Sequence, residues 1–285
     1  MKTIGFIDYF LSEWHANSYP AMILENCKRT GREYEVKYAW SELEKSPYDG
    51  VTTDEWCEKF GVERCGSLRE IAQKSDFLFV LSPDNPENHE RYIAETVKFG
   101  KPTYLDKTFA PDYAAAKRLA ETIESSGTKV FSTSALRYAE ELIALRASGN
   151  SVTEVITAGP GAYGNYAVHQ FEMIVALLGR GAERLKAVSN GLGRVLAVEY
   201  GEGKQAIFNQ IEAPGMPFQI AAICGGANKF STVTSSFFDM LIEKILHMFD
   251  GGAPDVPMSE TLEVAKLIDA GKAALENPGN WINLE

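Results

Sequence analysis

Two short stretches of the chain carry side chains able to orient and move protons. Asp106-Lys107 sets an acid beside a cation, directly after the apolar run Pro102–Leu105. A lysine next to a reacting hydroxyl orients it and stabilises a developing alkoxide, while Asp106 can pair with the lysine or cap the next turn. The second stretch is Asn165-Tyr-Ala-Val-His169. Residues four apart share a helix face, so a carboxamide and an imidazole stand one above the other. Imidazole titrates near neutrality and can remove a hydroxyl proton. Asn165 can hydrogen-bond a ligand or fix the ring tautomer, and Glu172 is a further candidate partner for the ring. Tyr163 and Tyr166 flank the same helix start and suit stacking on a sugar ring or another apolar ligand. Arg137 lies near the crossover between the two halves of the chain and is a candidate to face a ligand. Each has a bland alternative: a surface lysine after a strand, a satisfied core histidine, and packing for the tyrosines and the arginine.

A third stretch matters for what it lacks. Ile4-Gly-Phe-Ile-Asp8 reads as the first strand of a dinucleotide fold, and a helix follows it. Between them such folds need glycines, so that the backbone can approach a pyrophosphate. Here the turn is Asp8-Tyr-Phe-Leu-Ser-Glu-Trp-His15. A helix N-terminus attracts anions. Asp8 and Glu13 oppose that and can fill the place themselves by capping free amides, and Phe10 and Trp14 crowd it. Asp8 and Phe10 remain candidate cofactor-side residues by position. Ser82 and Asn85 follow the run Phe77–Leu81 and are candidates to touch a ribose or nicotinamide edge. His89 is expected to cap or pack. Glu42, near the end of the second strand, is the candidate ribose acid, with Glu44 behind it.

The elements that must hold these residues alternate in the first half: strands at Thr3–Asp8, Tyr34–Trp40, Phe77–Leu81, Pro102–Leu105 and Lys129–Ser132. Helices are expected at Ala16–Arg29 (with Pro20 near its first turn), Thr53–Phe60, Leu68–Lys74, His89–Phe99 and Pro111–Ser126. Short βα connections imply a doubly wound parallel sheet, whose ligands bind outside the carboxyl ends of the strands. The second half differs. Helices at Leu136–Ser148, Gly164–Leu178, Phe237–Phe249 and Met258–Ala274 (with Ser259 as cap) accompany strands at Val152–Ala158, Leu185–Ser189, Arg194–Tyr200, Lys204–Glu212, Gln219–Cys224 and Lys229–Thr234. Strands that follow one another without long helices predict a mostly antiparallel sheet. The expected division is 1–134 and 135–285.

The 285 residues suffice for two such domains, and 45 % apolar with 24 % charged residues is a globular balance. A net charge of -11 disfavours a nucleic-acid partner. No apolar run approaches the roughly 20 residues needed to span a bilayer. Cys27, Cys57, Cys65 and Cys224 have no metal-knuckle spacing, and the four histidines are scattered, so no metal is expected. Sparse cysteines and a start that enters a strand at once fit a cytoplasmic setting.

In the order and spacing of these motifs the chain resembles the glucose-fructose oxidoreductase / inositol dehydrogenase / MocA family. Ser82-Pro83-Asp84-Asn85 with His89 resembles the family's Thr-Pro-Asn…His pattern, Asp106-Lys107-Thr108 its Glu-Lys-Pro, and Asn165…His169…Glu172 its Asp-x-x-x-His-x-x-Asp. Pro257–Ala270 looks like its closing helix. The resemblance implies a Rossmann-like parallel-sheet domain followed by an α/β domain with an open, mostly antiparallel sheet. It implies oxidation or reduction of a sugar, polyol or related hydroxy or keto compound with NAD or NADP, and a homo-oligomer formed through the second sheet. Lys107 would then contact both substrate and cofactor sides, and His169 would be the acid/base. Glu42 and Glu44 favour NAD. The departures are the missing glycines, Thr108 for proline and Asn165 for aspartate. They keep open a paralogue that binds a metabolite or carbohydrate without any dinucleotide, and lyase or isomerase chemistry by Lys107, His169 and Glu172.

Overall fold

The computed structural model describes residues 1–147, 151–188, 193–213 and 215–284. The ends expected at Ser148 and Ser189 lie outside these. The chain forms two compact units: residues 1–133 with 238–258, and residues 134–237 with 259–285.

The first unit contains β1 (Lys2–Asp8), α1 (Trp14–Thr30), β2 (Tyr34–Ser41), α2 (Thr53–Phe60), β3 (Glu63–Arg64), α3 (Leu68–Lys74), β4 (Phe77–Val80), α4 (His89–Thr96), β5 (Thr103–Leu105), α5 (Tyr113–Ser126) and β6 (Val130–Phe131). All pairings are parallel, in the order β3-β2-β1-β4-β5-β6. β4 is buried at every position, as expected of a strand covered on both faces. α1 puts Ala16, Tyr19, Ile23 and Cys27 into the core at helical spacing and stops at left-handed Gly31. It starts earlier than the sequence suggests, because Glu13 caps it. Pro20 is therefore its seventh residue, inside the helix and not in its first turn. A side chain at Gly5 would collide with Ile71 and Ser75, so glycine lets α3 lie close against β1. β3 has only two residues, too few to show a period.

The second unit contains α6 (Glu140–Ala147), β7 (Val152–Gly159), α7 (Tyr163–Leu178), β8 (Ala182–Val188), β9 (Arg194–Tyr200), β10 (Gln205–Gln210), β11 (Gln219–Cys224) and β12 (Ala227–Thr232). After α8 (Phe237–Phe249) it closes with α9 (Met258–Glu276) and β13 (Ile282–Asn283). Its sheet runs β12-β11-β7-β10-β9-β8-β13 and is antiparallel except for β7 with β10. Buried α7 lies on one face, with Phe171 stacked on Phe208 at 4.8 Å. Ser259 lies inside the first turn of α9, which begins at Met258, so it is not the cap.

A single cut at residue 134 misses one return of the chain: α8 belongs to the first unit. Phe249 stacks on Phe77 at 4.5 Å, Arg32 bridges Glu243 and Asp250 at 2.7 Å each, and the Tyr34 hydroxyl donates to Asp250 at 2.6 Å. Phe249→Leu keeps the apolar volume but loses the ring pair. It is expected to cost about 1–2 kcal/mol, read from the urea midpoint.

Candidate functional site

Three chemistry-bearing segments reach the carboxyl edge of the first sheet: Asp8 at the end of β1, Ser82 after β4, and Asp106-Lys107 after β5. β1 and β4 are neighbours, with the chain winding away in opposite directions from them. This is the switch point where open parallel sheets bind ligands.

Asp8 is 1 % exposed. Its Oδ1 accepts from the amides of Tyr9 (2.7 Å) and Ser82 (3.0 Å) and from the Ser82 hydroxyl (3.3 Å), while Oδ2 has no partner. These bonds hold Ser82 in the left-handed region at φ 57°, a costly conformation for a residue with a Cβ. Burial, and then the charge of Glu13, push the Asp8 carboxyl well above the usual carboxylate range. A raised carboxyl holds its proton longer in the folded chain, so the stability it contributes at low pH is lost as pH rises from the unfolded value. Asp8→Asn keeps an acceptor and cannot ionise. Its melting temperature relative to the wild type is therefore expected to climb as the pH rises above the ordinary carboxylate range.

The turn after Asp8 is filled by the chain itself. Phe10, Leu11 and Ser12 are buried, and Phe10 meets Tyr48 edge-on at 5.1 Å. Phe10 thus packs the turn. Glu13 is 5 % exposed and accepts from the amides of His15 (2.7 Å) and Ala16. Those are the α1 amides that would grip a phosphate. Burial raises the Glu13 carboxyl, although His15 and the amides pull the other way. Glu42 is bonded to Arg91 and to the Tyr92 hydroxyl (2.6 Å), and Glu44 to Arg64. The Asn85 amide donates to Glu87 at 3.1 Å. His89 is wholly buried, its ring nitrogens at 3.1 Å from the Phe109 carbonyl and 2.6 Å from that of Leu81, and burial lowers its pKa. It packs, as expected.

Asp106 is fully buried. Its Oδ1 accepts from the Tyr104 hydroxyl (3.0 Å) and the Lys107 amide (2.8 Å), and its Oδ2 is bonded to His15 Nδ1. Burial alone would raise this carboxyl, but the His15 ring and then Lys107 hold it below the usual value. The Tyr19 hydroxyl also reaches His15 Nδ1, at 3.2 Å. Lys107 is 8 % exposed, and among the described residues its ammonium has no hydrogen-bond or ion-pair partner. The sequence reading missed the His15–Asp106 pair because its members are 91 residues apart. The one local signal was His15 and Tyr19 at helical spacing.

In the second unit, His169 sits on the first half of α7, its Nδ1 2.7 Å from the Ser134 hydroxyl. Its ring meets Tyr166 and Phe218 edge-on at 5.6 and 5.5 Å. Asn165 and Tyr166 are exposed beside it. Glu172 does not partner the ring: its oxygens take the Ser134 amide (3.3 Å) and the Arg137 guanidinium (2.7 Å). Arg137 is 2 % exposed and also binds Glu260 at 2.7 Å. Burial works against its charge, yet the two glutamates hold its pKa above the ordinary range. The Tyr163 hydroxyl donates to the Ile268 carbonyl at 2.9 Å and its ring packs on Phe208, so it fills core. Among the described residues no group of three or more His, Cys, Asp or Glu side chains is placed to hold a metal.

No family model and no curated protein matches the chain. Solved structures do match. A probable dehydrogenase from Thermotoga maritima is 15 % identical, with 99 % of each chain covered and a TM-score of 0.79. An oxidoreductase from Agrobacterium radiobacter, in complex with NAD+, L-tartaric acid and magnesium, is 12 % identical over 99 % of this chain and 98 % of that one, TM-score 0.76. Apo scyllo-inositol dehydrogenase from Lactobacillus casei is 14 % identical over 99 % and 98 %, TM-score 0.75. The chain therefore has the two-domain α/β fold of these dehydrogenases.

Proposed function

We propose that the chain is an NAD(P)-dependent oxidoreductase acting on a small sugar, polyol or related hydroxy or keto compound. The observation that carries this is Lys107: a lysine buried to 8 % exposure whose ammonium has no hydrogen-bond or ion-pair partner among the described residues, at the carboxyl edge of a parallel sheet. A buried cation needs an anion or strong dipole beside it, and a substrate hydroxyl becoming an alkoxide supplies one. The relatives' names support the class. Ser82, Asn85 and Lys107 are the residues proposed to meet the nicotinamide side. When bound, the nicotinamide accepts or supplies the hydride. Its pyrophosphate does not fit on α1 while Glu13 occupies the amides, so binding there needs Glu13 to leave. That same observation favours a second reading, a metabolite-binding paralogue without dinucleotide. Calorimetry with NAD+, NADH, NADP+ and NADPH on nucleotide-free protein separates the two. Micromolar binding supports the oxidoreductase, and no heat with any of the four sinks it. NAD is the proposed preference, on the acidic Glu42 at the end of β2. In the second unit, His169 is proposed as an acid/base residue, with Asn165 and Tyr166 as ligand contacts. Arg137 and Glu172 brace this end of α7 through their ion pair.

A homo-oligomer through the second sheet is part of the proposal. Phe230, Ala221, Ile156, Ile207 and Ala197 are cross-strand neighbours in one row over β12, β11, β7, β10 and β9. Phe230 is 72 % and Ile156 49 % exposed. Ile156→Lys is expected to shift sedimentation toward the monomer. Among the described residues no helix is long and apolar enough to cross a membrane. The four cysteines are buried and none forms a disulfide, and the proposed location is the cytoplasm.

A further inference from the structure

We infer that His15, oriented by Asp106, is a proton acceptor of the first unit, taking the proton of a ligand hydroxyl held by Lys107. The inference rests on the hydroxy-compound reading above and adds a proton-handling centre to it.

Four observations meet here. Asp106 Oδ2 is bonded to His15 Nδ1, which fixes the ring and directs its other nitrogen, Nε2, away from the carboxylate. Asp106 is itself held from two sides, by the Tyr104 hydroxyl and by the Lys107 amide, so the carboxylate is positioned before any ligand arrives. Among the described residues Nε2 has no hydrogen-bond partner, and the His15 side chain keeps 12 % of its surface exposed. Lys107, next to Asp106 in the chain, brings a buried ammonium that has no hydrogen-bond or ion-pair partner among the described residues. An imidazole with a buried carboxylate on one nitrogen and an open second nitrogen is the arrangement of a general base with its orienting group. Glu13, which caps α1, Asp8, Tyr19 and Tyr104 are the other titratable groups of this cluster. From α8, the uncharged Phe238 ring reaches the neighbouring Trp14 and Tyr19.

In the step itself the ligand O–H bond breaks and an N–H bond forms at Nε2. The negative charge left on the ligand oxygen stands beside the Lys107 ammonium. The positive charge gained by the ring is matched by Asp106, so no further acid or base is consumed. Asp106 acts through His15 and is a positioning residue. Tyr19, hydrogen-bonded to the same Nδ1, supports the ring orientation.

The first test does not depend on turnover. Diethyl pyrocarbonate acylates an accessible neutral imidazole, and mass spectrometry assigns the modified peptide. His15 is expected to react at least as fast as histidine in a short peptide, and Asp106→Asn is expected to slow it by about tenfold. Slow modification of His15, or a rate indifferent to Asp106→Asn, overturns the dyad whatever cofactor is bound. The second test measures NADH formation with a panel of polyols and hydroxy acids. His15→Gln is expected to lose at least 100-fold in kcat while binding NAD+ within threefold of the wild type, and His15→Gly is expected to recover in part with added imidazole. Full turnover by a folded His15→Gln also overturns the proposal. If the wild type shows fast, Asp106-dependent modification yet binds no nicotinamide cofactor, the oxidoreductase reading falls and the dyad stands.

Discussion

Lys107→Met is expected to lower kcat by about 100- to 1,000-fold for a hydroxy compound oxidised as proposed, with a much smaller change in KM. The reasoning starts from burial. Lys107 is 8 % exposed and its ammonium meets no acceptor among the described residues. Methionine fills the same volume without charge, so the fold should keep its stability, or gain by losing a buried charge. What disappears is the cation proposed to stand beside the developing alkoxide. Removing a single preorganised donor from an oxyanion costs about 2.7–4 kcal/mol in well-studied cases, which is the factor given. Lys107→Arg is the control. It restores charge but not shape, because the planar guanidinium presents its donors in a rigid fork, and is expected to recover only part of the loss. A mutant that binds substrate far more weakly at unchanged kcat would show that Lys107 only anchors the ligand.

Much of this was legible before the structure, for identifiable reasons. Phe77–Val80 is an unbroken apolar run, and Leu68–Lys74 and Thr53–Phe60 carry serine and threonine caps with acids in the first turn. Such local signals fix an element without reference to the rest of the chain. Asp106 and Lys107 stood out because they end a strand. What the sequence hid is contact across distance. Nothing near Glu172 says that its carboxylate belongs to Arg137, 35 residues away, and not to His169 one turn back. Likewise nothing near Arg32 announces Glu243 and Asp250, so α8 read as part of the second domain. The Asp8–His15 turn was readable only as an alternative: its acids could line a nucleotide site or plug it. The register of α1 decided this, by placing Glu13 on the amides of His15 and Ala16.

That plug gives the other large expected effect. Glu13→Ser should tighten dinucleotide binding by about 10- to 100-fold. Serine remains a good helix cap, so the loss of stability should stay below about 1 kcal/mol. What changes is the charge at the head of α1. A carboxylate and a phosphate about 4 Å apart repel by about 4 kcal/mol at an effective dielectric of 20; part of that is recovered when the carboxylate goes, and the freed amides can then face the anion. The pH dependence gives a second handle. Burial raises the Glu13 carboxyl, so lowering the pH neutralises it while the pyrophosphate stays charged. Wild-type affinity for NADH should therefore rise on acidification, whereas Glu13→Ser should stay nearly flat over the same interval. Calorimetry at several pH values reads both effects. Equal affinities for the two proteins at every pH would mean that the nucleotide never approaches α1, and the oxidoreductase would then have to hold its cofactor from the Ser82 and Lys107 side alone. Tight binding by Glu13→Ser with none by the wild type would instead mark a fold whose dinucleotide seat has been taken over by its own carboxylate.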